Sequence, residues 1–273
     1  MQFLLIILSL LSTVYSQQVP KAHIYTIEKN GHISYIMGTI HYGVHLDDYK
    51  NEKEKIINLI KQSPYFASEL GIEMIEDEEE SETIEGVVST RSDTISLASK
   101  DFLHKLRLDT ALLNKIHYHE LSDVAVMLAF IKDDEDLSDF QMLDVTLTQV
   151  AADNNKEIIK LDNDDRDIID NEFLPIHELV YDCGGDTSVL KGLARDVQTK
   201  FKKGKSDNSK FIINEDNPED QYLLVERNKI WLPKIMELHN RGGVFVAVGN
   251  EHLKYDIGLI TLLKKNGFKI KKL

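Results

Sequence analysis

Two segments far apart in the chain end in the same pattern, an apolar run followed by glycine, two further residues and histidine. The first contains Gly38 and His41, and the second contains Gly249 and His252. In α/β proteins, functional groups gather where strands end and loops begin, and glycine there allows a sharp turn and the close approach of a ligand. If the two runs are neighbouring strands, their imidazoles converge on one point.

A third apolar run, residues 65–70, supplies a carboxylate. It contains Glu69 near its end, where we expect the side chain to be exposed at the end of a strand. Two histidines and one carboxylate form a common open metal site, which leaves positions for water and substrate. The metal would lower the pKa of its water and polarise a carbonyl. Glu69 is then either the third ligand or the general base that acts on this water.

Other histidines compete for the same role. His45 follows His41 by four residues, which would place both on one face of a helix. Because Gly43 lies between them and the segment follows a strand, we interpret His45 as a supporting or surface residue. His119 and His177 are each followed by glutamate, as in a helical zinc motif, but neither has the second histidine four residues later. The two Gly-x-x-His motifs therefore remain the candidate centre.

Charge and cysteine content exclude several classes of protein. The chain has 273 residues and a net charge of −14. Such a surface repels phosphate backbones, so we expect no nucleic-acid partner, and it also argues against docking on anionic lipid. Cys183 is the only cysteine, which excludes an internal disulfide and a cysteine-based metal cluster.

Residues 1–16 predict a signal peptide. They carry no charged side chain, their apolar centre runs from Phe3 to Leu11, and the small residues Val14 and Ser16 precede Gln17. The alternatives are a buried N-terminal strand or helix, or an uncleaved membrane anchor. With cleavage, residues 17–273 form a single domain that is secreted or periplasmic and has no stable membrane anchor.

The periodicity of the chain predicts an α/β (α+β) fold, with a mixed central β-sheet that opens with a hairpin and is covered by helices. Two β-prone runs flank Asn30 and Gly31, a strong hairpin signal. The predicted strands are residues 24–27, 33–37, 65–70, 158–161, 244–248 and 268–272. The predicted helical regions are residues 47–62, 99–155 in pieces, 165–201 with breaks at Pro175 and Gly184, 217–239 and 256–266.

The order and spacing of these features resemble the TraB/GumN family, which includes the Tiki-type metalloproteases and lies near the erythromycin-esterase/ChaN-like group. The resemblance extends over nearly all of residues 17–273. The residues that carry it are Gly38 to His41, Glu69, Leu143, Asp144, Leu147, Ala151, residues 156–159, Arg227, Asn228 and residues 249–253.

The resemblance implies that His41, Glu69 and His252 form the family's proposed active site. Members with demonstrated activity are metal-dependent peptidases that work with manganese or cobalt. By analogy, Arg227 lies near the site, where it holds a substrate carboxylate, stabilises an oxyanion or forms an internal salt bridge. The chain departs from the family pattern at Glu251, where a small residue is frequent. It departs again at Asp162, where the family often has glutamate.

We therefore predict an exported metal-dependent hydrolase that cleaves a peptide or protein substrate. His41, Glu69 and His252 are the predicted ligands of a divalent metal, Mn or Co first, with Zn and Fe as alternatives. Glu69 and Arg227 are the predicted catalytic residues. The predicted supporting residues are His45, Asn228 and Glu251. The alternative is a non-catalytic protein of the same fold that binds haem or a peptide through the same histidines.

Overall fold

The computed structural model describes residues 21–72, 75, 95–108, 113, 116, 120–131, 142–163, 175–203 and 221–273. The predicted signal peptide lies outside the described residues, as does the predicted start of a helix at residue 217. Within the described residues, no helix is long and apolar enough to cross a membrane.

A mixed six-stranded sheet forms the centre of the protein, which confirms the predicted fold class. Its strands are β1 (His23–Lys29), β2 (His32–Thr39), β3 (Tyr65–Ser68), β4 (Glu157–Lys160), β5 (Val244–Gly249) and β6 (Lys269–Lys272). Their order across the sheet is β4-β3-β5-β2-β1-β6. The four strands from β4 to β2 are parallel, and β1 is antiparallel to both of its neighbours.

The opening hairpin forms where the sequence predicts it. β1 and β2 pair from His23 opposite Gly38 to Lys29 opposite His32, so only Asn30 and Gly31 form the turn. Both turn residues have positive φ, 52° and 81°. Asn-Gly tolerates this conformation, whose twist matches that of the flanking strands.

Helices pack on both faces of the sheet and beside it. They are α1 (Lys50–Gln62), α2 (Leu97–Lys105), α3 (Leu121–Phe130), α4 (Leu143–Asp153), α5 (Ile176–Asp182), α6 (Thr187–Lys202), α7 (Arg227–Asn240) and α8 (Leu259–Lys265). Short 3₁₀ turns cover Leu46–Tyr49 and Asn250–Leu253, and a π-helical segment, Gln221–Glu226, leads into α7. α7 continues through Pro233, and the predicted breaks separate α5 and α6 from their neighbours.

The central strands are buried on both faces because alternate residues enter two different apolar clusters. In β3, Phe66 packs towards α1 and α4, whereas Ala67 packs towards α7 and α8. β5 divides in the same way, with Phe245 on the first side and Val246 on the second. Strands of this kind are apolar at every position, which explains the continuous apolar run in β5. A third cluster joins α2, α3, α5 and α6.

His23, at the start of β1, should make the free energy of unfolding sensitive to acid. Its ring is buried, stacks on Phe201 and donates from Nε2 to the Phe201 carbonyl at 2.8 Å. Burial lowers the pKa of His23, the Phe201 hydrogen bond opposes the shift, and Lys272 adds to it. Protonation is therefore easier in the unfolded chain, so this residue reduces the free energy of unfolding as pH falls below about 6.5.

We expect His23→Gln, which keeps a donor for Phe201 without titrating, to flatten the loss of unfolding free energy between neutral and mildly acidic pH. Urea unfolding over this pH range measures the slope. The matched control is His177→Gln, because the side chain of His177 is exposed. Equal slopes for wild type and His23→Gln would contradict the assignment.

Candidate active site

The ends of three adjacent strands bring the two Gly-x-x-His motifs and Glu69 to one edge of the sheet. β2 and β5 are parallel neighbours, with Thr39 opposite Gly249. β3 lies on the other side of β5, and Glu69 follows its last residue. The carboxyl ends of parallel strands meet at the same edge, so the three side chains emerge together.

Gly249 marks the point on which they converge. A methyl group at this position would lie 3.4 Å from Glu69 Oε1, 3.5 Å from His252 Cδ2 and 3.9 Å from His41 Nε2. Gly38, the glycine of the first motif, has a different role. A Cβ there would stand 2.5 Å from Asn250 Oδ1, so Gly38 allows the 3₁₀ turn of the second motif to pack against β2.

His41 is held by a buried carboxylate from α4. Its Nδ1 lies 2.9 Å from Asp144 Oδ2, and the Thr39 hydroxyl donates to Oδ1 of the same group. The His41 side chain is 47% exposed, whereas Asp144 is buried. Desolvation lowers the pKa of His41, but the charge and hydrogen bond of Asp144, assisted by Glu69, raise it to about 9. Asp144 therefore fixes the ring through Nδ1 and leaves Nε2 facing the convergence point.

The ring of His252 is held by an amide and, unlike that of His41, is uncharged at neutral pH. Its Nδ1 lies 2.9 Å from Asn228 Oδ1, while Asn228 Nδ2 donates to the carbonyls of His252 and Ile257. Because the amide nitrogen serves these two carbonyls, the oxygen accepts Nδ1–H and Nε2 keeps its lone pair. Burial lowers the pKa of His252 to about 4, Glu69 opposes the shift, and Arg227 and His41 add to it. His252 is therefore a neutral imidazole.

Glu69 is buried at 5% exposure, contrary to the expectation that it is exposed at the strand end. Its Oε1 accepts the backbone N–H of Gly249 at 2.8 Å, and its Oε2 accepts Arg227 Nη2 at 2.5 Å. Burial raises the pKa of Glu69, but the charges of Arg227 and His41 and the Gly249 hydrogen bond hold it far below the ordinary range. These donors replace water, which explains how an ionised carboxylate is tolerated here.

Arg227 joins Glu69 to a second buried carboxylate. Its Nε and Nη2 donate to Asp162 at 3.0 and 2.8 Å, and its guanidinium lies 4.5 Å from the centre of the Trp231 ring. Trp231 also donates to Asp162, and Arg227 Nη1 lies 3.5 Å from His252 Nε2. Of the roles considered for Arg227, the structure contains the internal salt bridge, placed directly against the convergence point.

The two remaining predicted residues lie at the margin. The exposed carboxylate of Glu251 accepts hydrogen bonds from Lys254 at 2.5 Å and the Tyr255 hydroxyl at 3.0 Å. His45 stands at the start of the 3₁₀ turn, and its backbone N–H donates to the Asp48 carboxylate at 3.0 Å. His41, Glu69, Arg227, Asn228 and His252 are the predicted site residues that the structure brings together.

Asp144 and Trp231 contact these residues, although neither was predicted to have a functional role. The signal for Asp144 was its position three, four and seven residues before Leu147, Thr148 and Ala151, which places it on the buried face of α4. A carboxylate on such a face needs a partner. Trp231 follows Arg227 by four residues and shares its helix face.

The arrangement of the described side chains bears on the predicted metal site. Among the residues that the structure describes, no group of three or more His, Cys, Asp or Glu side chains is arranged so that it could hold a metal ion. Both oxygens of Glu69 already accept hydrogen bonds, one of them from a guanidinium. The side chains thus form an ion-paired cluster bordered by one exposed imidazole.

Comparison with known proteins places the chain in one family. The model of the TraB/PrgY/gumN family matches residues 23–272, nearly the whole chain. This match confirms the resemblance indicated by the sequence. Searches of curated proteins and of solved structures found no match.

Proposed function

Since the chain belongs to the TraB/PrgY/gumN family, we propose that it is a metal-dependent hydrolase of peptides. The observation that supports this proposal is the convergence of His41 Nε2, the His252 ring and the Glu69 carboxylate around Gly249. The composition of residues 1–16 supports export. N-terminal sequencing of the secreted protein should then begin at Gln17.

The donor chemistry of the cluster fits a divalent metal. Asp144 and Asn228 occupy Nδ1 of the two histidines, and a metal-binding histidine typically has its other ring nitrogen held in this way. Each Glu69 oxygen keeps a further lone pair beyond the hydrogen bond that it accepts. His41 and His252 would hold the metal through Nε2, with Glu69 as the third ligand, once His41 has lost its Nε2 proton and Arg227 Nη1 has moved from His252 Nε2. Mn, Co, Fe and Zn all accept such nitrogen and oxygen donors.

The charge on Glu69 supports the ligand role over the role of general base. A general base works best when its pKa lies near the operating pH. Arg227 and His41 hold the pKa of Glu69 far below that range. We therefore assign Glu69 as a ligand, and a bound metal would supply the activated water and the polarised carbonyl.

The remaining residues orient this centre and limit access to it. Asp144 fixes the ring of His41, and Asn228 fixes that of His252. Arg227 keeps Glu69 ionised and in place. Because Glu69 and His252 are buried and His41 is partly exposed, substrate would approach from the side of His41.

Elemental analysis of the purified mature protein tests the metal site. We expect about one Mn, Co, Fe or Zn per chain in wild type and none in the His41→Ala/His252→Ala variant. Cleavage of a peptide library by the metal-loaded wild type, and not by the double variant, tests hydrolysis. If wild type holds no metal even after each of the four has been added back, the metallohydrolase proposal is wrong.

Gly249→Ala should remove metal binding without unfolding the protein. The backbone of Gly249, with φ −49° and ψ 135°, suits alanine, and the new methyl would make contacts of 3.4 to 3.9 Å, which are ordinary van der Waals distances. We expect the free energy of unfolding to change by less than about 1 kcal/mol. The methyl would nevertheless fill the convergence point, so metal content should fall to background.

Gly38→Ala is the matched control, because its methyl would collide with Asn250 and should destabilise the fold by roughly 1–3 kcal/mol. Chemical denaturation and elemental analysis of both variants make the comparison. Full metal content in Gly249→Ala would show that the metal does not bind at this point.

A non-catalytic binding protein is the second candidate, and one observation favours it. Arg227 pairs with both Glu69 and Asp162 without a metal, and His41 remains accessible. Titration of metal-depleted protein with haem, followed by the haem absorption band, and with a peptide library, followed by enrichment of bound peptides, tests this function. Binding that His41→Ala removes, without metal uptake or cleavage, would support it over hydrolysis.

A further inference from the structure

Helix α6 carries an apolar stripe on its surface. Val189, Leu193 and Val197 are 44%, 58% and 46% exposed. They are spaced by four residues, so they lie on one face of the helix. Single exposed apolar residues are ordinary, but a row of three on one helix face is typical of an interaction surface.

The stripe is symmetric about Leu193. Val189 and Val197 lie four residues before and after it, and Asp186 and Lys200 lie seven residues before and after it. Offsets of four and seven residues keep the helical members of this set on the face of Leu193. Asp186 precedes the helix as its N-cap: its exposed carboxylate accepts hydrogen bonds from the N–H and the hydroxyl of Ser188 and marks the N-terminal end of the face. The face therefore has an acidic end, an apolar centre and a basic end.

Such a face is complementary to a second copy of itself. When two α6 helices pack antiparallel with a twofold axis at Leu193, Val189 lies opposite the partner's Val197. The same operation sets Asp186 opposite the partner's Lys200, on both sides of the axis. A twofold interface must be self-complementary in this way. We propose that the chain forms a homodimer through the α6 stripe.

Charge favours a second copy over an anionic lipid surface. α6 carries several basic residues, as membrane-binding helices do. However, the chain has a net charge of −14, and Asp186 stands at the N-terminal end of the stripe. Both would oppose docking on anionic lipid, whereas Asp186 finds an opposite charge in the antiparallel dimer.

The dimer should be weak and dependent on concentration. α6 has 16 residues, so it is roughly 24 Å long. One helix pair of this length covers less than the roughly 1,200 Å² typical of stable interfaces. The Asp186–Lys200 pairs are exposed, so salt should weaken association further.

Sedimentation velocity of the full-length mature protein, over a hundredfold concentration range, tests the proposal. Wild type should shift from monomer to dimer, and Leu193→Asp and Lys200→Glu should each weaken dimerisation at least roughly tenfold. Arg195→Glu is the matched control, because Arg195 is exposed but lies two residues from Leu193 and faces away from the stripe. Circular dichroism of each variant excludes unfolding as the cause of a change.

Disulfide trapping tests the antiparallel geometry of the proposed dimer. In a Cys183→Ser background, Leu193→Cys should cross-link to its own symmetry mate under mild oxidation, and Thr199→Cys on another face should not. A monomeric wild type at every concentration overturns the proposal, as does a dimer that both stripe variants leave intact. Binding of monomeric protein to anionic vesicles that Leu193→Asp abolishes would assign the stripe to lipid instead.

Discussion

Arg227→Ala is expected to destabilise the protein by roughly 3–5 kcal/mol, the cost of breaking a buried ion pair by removing one partner. Its guanidinium serves both Glu69 and Asp162, and both carboxylates are buried. Removal of the guanidinium leaves two buried negative charges without their cation, and it also removes the cation–π contact with the Trp231 ring. Urea unfolding at neutral pH measures the loss.

Lys229→Ala is the matched control. Lys229 lies on the same helix, and its ammonium group forms an exposed ion pair with Glu226. Exposed pairs contribute roughly 0–1 kcal/mol, so this variant should unfold close to wild type. Arg227→Lys should recover only part of the stability, since an ammonium cannot donate to Asp162 in the bidentate geometry of a guanidinium. A loss below about 1 kcal/mol for Arg227→Ala would show that water or a rearranged partner satisfies both carboxylates.

A double-mutant cycle separates the two halves of the network. If Arg227 chiefly compensates Glu69, then Glu69→Gln in the Arg227→Ala background should restore much of the lost stability, because the uncompensated charge is gone. If Asp162 is the main partner, Asp162→Asn should restore more. Additive effects in both cycles would mean that neither carboxylate is energetically coupled to Arg227.

The sheet and its opening hairpin could be predicted because local chemistry determines them. Asn30 and Gly31 accept the positive φ of a two-residue turn, and β5 is apolar throughout because both of its faces are buried. The convergence of the two motifs followed from the same argument, since His41 and His252 come soon after strands that proved to be parallel neighbours.

The environment of Glu69 could not be predicted from its neighbours in the chain. Its position near the end of a short apolar run indicated exposure, but its compensating cation is 158 residues away. Periodicity places a residue on a strand or helix face and says nothing about which distant charge will meet it. Asp144 shows the same limit, because helical spacing places it on a buried face while its partner, His41, is 103 residues distant.

Asp144→Asn is expected to weaken metal binding about 10–100-fold while leaving the fold intact, the usual effect of losing the group that orients a metal-binding histidine. Asparagine keeps the size of the side chain. Its oxygen can still accept a hydrogen bond from His41, and its NH₂ group can donate to the Thr39 hydroxyl. The lost negative charge no longer draws Nδ1–H towards α4, and the basicity of His41 falls. Asp153→Asn is the matched control, because it removes an exposed carboxylate that lies on the same helix and accepts a hydrogen bond from Gln149.

The same variant should reduce a pH effect in metal-free protein. Although burial lowers the pKa of His41, Asp144 raises it to about 9, so the protonated pair contributes stability that is present below pH 6.5 and is lost as pH rises towards 9. Wild type should therefore lose unfolding free energy across this window, and Asp144→Asn should lose less. Metal titrations and unfolding curves in chelator separate the two effects. Unchanged metal affinity with a flattened pH profile would restrict Asp144 to holding a protonated His41, a result that favours the binding protein over the hydrolase.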